Sequence, residues 1–524
     1  MEKKVIRRYC TITIALVFLS LIFTPTFSTT LSNGLTEKDG FKKDVLELSE
    51  PLSLNISIEK AICRRRSVRE FTGEGINEDE LSTILWHAYG FTEKEDRVIH
   101  SLTDEYPIKL YVLNENGVFL YEPEIHRLIK YRSFDGTWIG QYDTATVKIA
   151  LVWDKEKCSN ENLAGGEIGE IGQNIYFSCN ALDLGTVTTA TKVNQLYFTG
   201  LPSNEKPLII MPIGHPKEPY SFRYKSITSD LLSIENSTMS FTEAVTDRSE
   251  TIAWKNTGLT PRQQTQILWS AYGSSYYIDE INDRRHRTVP SSHGTYPFEI
   301  YFANNTGIYR YHGRSHTITE IKKGDFRKEI ADSTKEFISN ASLIVIPVLN
   351  TTDINERYLW AWYYEAAASS YNVMLESTAW NLSSNIIIDT DKEDLNSLFG
   401  LKNENKLPVF AVPVGKHRNV DNQPPTITID QPTEGLYFLG RKITDLENIW
   451  IIGPYQAEIS SEEEFCFKSM NIYVDDKAIA HTTNQNVSIS LPSAFFSFNK
   501  ELKIKAYDYE RKNCVKSLEY FKLI

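Results

Sequence analysis

The residues best equipped for chemistry sit in one basic run, Arg64-Arg65-Arg66-Ser67-Val68-Arg69-Glu70-Phe71. Four arginines and a serine hydroxyl within six residues suit an anion, because guanidinium forks match phosphate oxygens and the serine adds a donor. On the run alone, a phosphate cradle and a solvated basic helix end both stay open. Gly166, Gly169 and Gly172 recur every third residue without the strand and loop of a nucleotide fingerprint, so the spacing predicts close helix packing. Tyr358, Trp360, Trp362, Tyr363 and Tyr364 cluster on a second long helical stretch; they are expected as core, with a ring-stacking wall as the alternative. Cys63, Cys158 and Cys179 lie in no CxxC pair and no Cys/His spacing suits zinc, so no metal site is expected.

These groups need a scaffold, and the chain supplies one twice. Ile84-Leu-Trp-His-Ala-Tyr-Gly90 returns as Ile267-Leu-Trp-Ser-Ala-Tyr-Gly273, at an offset of 183 (84 to 267). The same offset carries Ala61 to Ala244, Arg65 to Arg248 and Gly75 to Gly258. Tyr106, Tyr121 and His126 match Tyr296, Tyr311 and His316 at an offset of 190 (106 to 296). Gln173-Asn174 aligns with Tyr371-Asn372, and Pro212-Ile-Gly214 with Pro413-Val-Gly415 at an offset of 201 (212 to 413). Constant order and a growing offset predict a tandem duplication with insertions. Each half reads α+β: a helix carrying the LWxAYG segment, a hairpin (108–121 or 298–311), and a strand (147–153 or 343–348). A long helix (166–184 or 358–380) and a last strand (208–212 or 409–413) follow.

The arginine run followed by LWxAYG resembles the opening of the nitroreductase family, in its azoline (SagB-type) dehydrogenase branch. In the second half, Arg287-Thr-Val-Pro-Ser-Ser-His-Gly-Thr-Tyr-Pro297 resembles that branch's Pro-Ser segment, and Leu184-Gly-Thr-Val187 resembles the exit of its long helix. The resemblance covers residues 55–215 and 238–418. It implies two nitroreductase-like units forming an intrachain pseudo-dimer, with FMN between the halves. Site one would combine Arg65, Arg66, Ser67 and Arg69 with Pro290, Ser291, Ser292 and Gly294, the last segment near the ring. Thr188 and Thr189 would approach the ring, and Lys217 matches a basic residue that reaches the phosphate. His293 lies inside the same segment. Site two has diverged: Glu250 stands for Ser67, Ile252 for Arg69, Asp104 for Gly294, and Leu382-Ser-Ser-Asn385 for the exit. A unit charge pair at 4 Å is worth about 4 kcal/mol at an effective dielectric of 20, so exchanging an attractive arginine and adding a glutamate removes most phosphate affinity. The branch's Lys-Tyr pair has no match at Leu163–Gly166 or Arg357-Tyr358.

The rest of the chain sets the context. Met1–Tyr9 is basic, an apolar run spans Ile12–Phe23, and small polar residues follow, the layout of a signal peptide or N-terminal anchor over residues 1–30. An extracellular or cell-surface protein is therefore expected, with a possible membrane tether. Domains are expected at 50–220 and 235–420, then an all-β Ig-like sandwich at 424–524, where short alternating strands recur after Asn422-Gln-Pro-Pro425. Export makes a Cys466–Cys514 disulfide the expected pairing there. A net charge of −12 leaves no basic excess for a nucleic-acid partner. The expectation is a monomeric FMN-dependent oxidoreductase acting on a small molecule. A non-catalytic flavin-binding or surface protein is the alternative, and a flavin-free relic the third.

Overall fold

The computed structural model describes residues 45–92, 96–248, 250–352, 354–401, 405–420, 423–463, 466–492 and 497–523. The expected leader lies outside them. Helices α1 (Ile58–Arg64) and α2 (Glu78–Tyr89) open the first half. Asn77 and Glu80 close a capping box at the start of α2, and Gly90 ends it. The LWxAYG segment earns its repetition here. Trp86 Nε1 donates to the Phe91 carbonyl at 2.9 Å, and a Cβ on Gly90 would stand 2.6 Å from Trp86 Cδ1. The motif is thus a helix stop built from an indole and a glycine. In the second half, α4 (Phe241–Thr246) and α5 (Pro261–Tyr272) repeat it: Thr260 and Gln263 form the box, and Trp269 Nε1 donates to Ser274 O at 2.8 Å.

Seven strands build the first sheet: β1 (Val45–Glu47), β2 (Ile108–Asn114), β3 (Gly117–Glu122), β4 (Arg127–Arg132), β5 (Val147–Asp154), β6 (Gly185–Thr186) and β7 (Glu205–Gly214). Their order is β1-β4-β3-β2-β5-β7-β6, antiparallel throughout. A small ribbon, β8 (Phe222–Tyr224) with β9 (Tyr277–Asp279), links the halves. The second sheet comprises β10 (Phe298–Ala303), β11 (Gly307–His312), β12 (Thr317–Lys323), β13 (Leu343–Asn350), β14 (Ser383–Ser384), β15 (Lys406–Pro408) and β16 (Val412–Gly415). Its order, β12-β11-β10-β13-β16-β14, is that of β4-β3-β2-β5-β7-β6, with β15 and β16 together standing in the place of β7, both paired with β13. An added helix, α6 (Arg327–Asp332), helps account for the growing offset, and α8 (Lys392–Leu398) stands where the first half has a 3-10 helix, Val193–Thr199.

Backbone detail repeats too. Left-handed residues occur in matched pairs: Asp104 and Gly294 (φ 59° and 69°), Tyr106 and Tyr296 (48° and 51°), His126 and His316 (47° and 55°), Asp183 and Asn381 (56° and 55°).

The long helices α3 (Glu161–Ala181) and α7 (Leu359–Ala379) pack on each other and are buried along most of their length. Helix α3 starts five residues earlier than expected, because Asn160 accepts from the amides of Asn162 and Leu163. The glycines do permit close approach. A Cβ on Gly165 would stand 2.5 Å from the Trp360 carbonyl oxygen, and one on Gly169 or Gly172 would collide with Tyr364. Contacts across this interface are reciprocal. Gln173 donates to Asn372 Oδ1 at 2.8 Å, and Asn174 to Tyr371 Oη at 3.1 Å. Asn174 also donates to His87 O and Asn372 to Ser270 O, a second matched pair.

After residue 425, ten strands form a three-stranded and a seven-stranded sheet. Cys466 and Cys514 are not bonded to each other, correcting the expected disulfide. They belong to the lines of Phe467–Val474 and Asn513–Leu523, with Ser497–Asp508 running between as partner of both. Two strand spacings of about 4.8 Å exceed a disulfide's reach.

Candidate functional site

Two corresponding side-chain clusters, candidate sites one and two, lie where the halves meet, and part of each is the same. Tyr272 Oη and Ser291 Oγ (2.7 Å) donate to Glu365, while Tyr89 Oη (3.2 Å) and Ser101 Oγ (2.6 Å) donate to Glu167. Arg287 lies over the Tyr272 and Tyr296 rings at 4.7 and 5.1 Å; Arg97 lies over Tyr89 and Tyr106 at 4.5 and 4.9 Å. Burial pushes both carboxyls up to about 7. A frame present at both sites holds loops and says nothing about which site is used. Ser291 belongs to it: its hydroxyl also accepts from Tyr296 N at 2.8 Å, so it holds the loop rather than offering a donor to a ligand.

Site one carries a second set. Ser67 Oγ lies 3.2 Å from Tyr176 Oη, which accepts from Thr188 N at 2.9 Å, and Thr188 Oγ1 lies 3.0 Å from Tyr364 Oη. Arg65, 2% exposed, rests over Tyr176 at 5.2 Å and donates from Nε to Arg287 O at 3.0 Å. Val68 N donates to Thr186 O at 2.9 Å, tying the arginine run to the helix exit. Arg66 is committed to the Glu218 carbonyl (2.5 Å), Asp279 (3.5 Å) and the Tyr220 ring (4.3 Å). Thr189 donates to Gln141 at 2.9 Å, and its amide is engaged on Ile210 O. Arg69 is exposed, with Nη1 3.4 Å from Ser67 O. Lys217 meets Glu70 at 3.4 Å with both side chains exposed, a weak pair. From the second half, Pro290 is buried, Ser292 is half-buried beside exposed His293, and Gly294 has nothing within 4 Å of an added Cβ.

The structure therefore gathers Arg65, Ser67 and Thr188 around Tyr176 and joins them to the second half through Arg287 and Tyr364. Tyr176 is the functional candidate that motif reading missed, and Tyr364 was expected only as one of an aromatic cluster read as core or ring-stacking wall. The signal was a difference between halves: at matched positions Glu250, Met374, Ile386 and Gly166 replace Ser67, Tyr176, Thr188 and Tyr364, so every hydroxyl is lost.

Site two is closed by charge. Arg248 donates to Val98 O at 2.9 Å and pairs with Glu250 at 3.1 Å. Burial opposes ionisation of Glu250, yet His100, Arg511 and Arg248 hold its carboxyl down to about 2. Among the buried atoms left without a hydrogen-bond partner are Arg65 Nη1, Arg66 Nε and Arg287 Nε at site one, and Arg97 Nε, Glu170 Oε2 and Glu250 Oε2 at site two, so both sites leave arginine nitrogens unpartnered and site two adds carboxyl oxygens.

Residues 251–416 match the family model described as Nitroreductase family. A protein of Methanocaldococcus jannaschii assigned as a nitroreductase is 28% identical over 196 residues, covering 33% of this chain and 99% of the relative. A crystal structure assigned as a nitroreductase from Anabaena variabilis, 13% identical, covers 72% of this chain and 95% of that chain with a TM-score of 0.55. That share exceeds what either half supplies, so the shared fold spans both. Another from Desulfovibrio desulfuricans, in complex with FMN, is 20% identical over 31% of this chain and 87% of that chain, with a TM-score of 0.22. Residues 251–416 are thus similar to the nitroreductase family, and the fold shared with the Anabaena structure extends through both halves.

Proposed function

We propose that the chain is an FMN-dependent oxidoreductase with one flavin site, built from both halves of an intrachain pseudo-dimer that arose by tandem duplication. The observation that carries this reading is the asymmetry between the sites. Both sites keep unpaired buried arginine nitrogens, but site one adds four hydroxyls, whereas site two has none of those hydroxyls and leaves carboxyl oxygens unpaired. A phosphate is attracted to the first set and repelled by the second.

The residues at site one fit the group. Arg65, Ser67 and Arg69, with Lys217 beside them, are placed to hold the phosphate. The hydroxyl pair of Thr188 and Tyr364 would face the ring, and Ser292 and Gly294 would line the second-half wall. Flavin chemistry, hydride or electron transfer, is the cofactor's own; the protein binds, orients and shields it. Azoline oxidation itself is not proposed, because Leu163–Gly166 and Arg357-Tyr358 offer no Lys-Tyr pair. The leader-like residues 1–30 support action outside the cytoplasm by a monomer. The C-terminal strands support an Ig-like sandwich.

Titration of apo-protein with FMN, followed by flavin fluorescence, tests this reading. One equivalent binding per chain is expected. Two equivalents, or none, would overturn it.

A further inference from the structure

We infer that the C-terminal β-module is the built-in occupant of the second composite site, bridging the two halves there as a cofactor bridges them at the first. The inference rests on the two composite sites proposed above and assigns a role to the module that neither half's sequence contains.

The module reaches the first half on the loop that corresponds to Ser291–Tyr296. Lys468, 1% exposed, donates to Ser101 O at 2.8 Å and pairs with Asp104 at 2.9 Å. Asn471 Nδ2 donates to Thr103 O at 3.0 Å, and Arg511 donates to the Tyr106 hydroxyl. Lys505 and Tyr507 hold Glu105 at 2.8 and 2.7 Å. The same module reaches the second half on the segment that corresponds to the Leu184–Val187 exit. Asn385 Nδ2 donates to Tyr509 O at 2.8 Å, and Ile388 N to Tyr509 Oη at 3.3 Å. Tyr509 and Cys466 also join the hydrophobic cluster of the second half.

These two segments are the walls between which a flavin would lie by analogy with site one. The charges agree. Arg511 stands 3.9 Å from Glu250 and Lys468 salt-bridges Asp104, so module cations meet the two acids that replaced Ser67 and Gly294. Site one presents cations for an anionic guest; site two presents anions, and its guest is cationic and covalently attached. A tethered guest acts at high effective concentration, so the clamp persists without any free ligand.

The test uses the full chain with no cofactor in any arm. The wild-type protein is expected to melt in one transition that includes the module. Lys468→Ala with Arg511→Ala is expected to split it, the module loosening first. Cleavage after Glu105 by a glutamate-specific protease should then rise roughly tenfold or more, since the module's Lys505 and Tyr507 hold that residue and cleavage follows the population of the open form. Asp104→Asn combined with Lys468→Gln should lose less than the two single changes added together, as a paired contact requires. Hydrogen exchange on the wild-type protein covers the case of a variant that fails to fold: amides of 101–106 should be as protected as those of Phe467–Val474. An unchanged melt and cleavage rate would overturn the inference. So would a loop 101–106 exchanging like open surface beside a protected module. Failure here leaves the flavin titration untouched, and failure of that titration would leave a clamp that replaces no cofactor.

Discussion

Tyr364 Oη stands 3.0 Å from Thr188 Oγ1, joining residues 176 positions apart and from different halves. Tyr364 also fills the notch left by Gly169 and Gly172, so its hydroxyl is delivered to the first site by the tightest stretch of the α3–α7 interface. At the matched position on α3 stands Gly166, which delivers nothing.

Tyr364→Phe is expected to weaken FMN binding about fivefold, the worth of one hydrogen bond near 1 kcal/mol, with little change in melting temperature. Tyr176→Phe removes the partner of both Ser67 and Thr188 and should cost more. Titration of each purified variant, beside a thermal melt, checks both. Equal loss of stability and affinity would make the hydroxyls structural.

Replacing Arg69 by Ile, the residue at the matched position 252, should cost about 1.5–3 kcal/mol, or roughly ten- to a hundredfold in FMN affinity. Ile252→Arg should create no second site, because Glu250 and Asp104 remain. A flavin-to-protein ratio measured on both variants decides the point.

Glu365 is held near 7 when folded against 4.5 when exposed, so the folded chain keeps a proton that the unfolded chain has lost between those values. Its contribution to stability is full below about pH 4.5 and is lost as pH rises through about 7. Glu365→Gln cannot ionise and should therefore gain stability relative to wild type as pH rises across that window. Paired melts from acid to neutral pH measure the difference.

Gly169→Ala should destabilise the protein by about 1–3 kcal/mol or more, since its Cβ meets the Tyr364 backbone rather than a movable side chain. A denaturant titration reads the loss. Gly258→Ala, where an added Cβ meets nothing within 4 Å, serves as the control.

Much of this was legible in the chain itself. The repeat placed α2 and α5, both hairpins and both long helices, because a buried helix and a half-buried strand each impose a period on the residues that build them. The arginine run and the Pro-Ser segment were identifiable as partners more than two hundred residues apart, and the losses at Glu250, Ile252 and Asp104 marked one site as changed. Motif reading erred where local pattern carries no information. Cys466 and Cys514 looked pairable, but strand order put Ser497–Asp508 between them. Ser291 looked like a ligand residue, but its hydroxyl is spent on Glu365 and Tyr296.

By itself, the sequence determined the two-fold repetition, the α+β character of each half and the sign of charge at each arginine motif, since all three are properties of residue type and order. Only the tertiary structure decided that Tyr176 meets Ser67, that Tyr364 meets Thr188, and that Lys468 and Arg511 reach Asp104 and Tyr106. Those residues are hundreds of positions from some of their partners, and a hydrogen bond or ion pair depends on distances of a few ångströms that only packing sets.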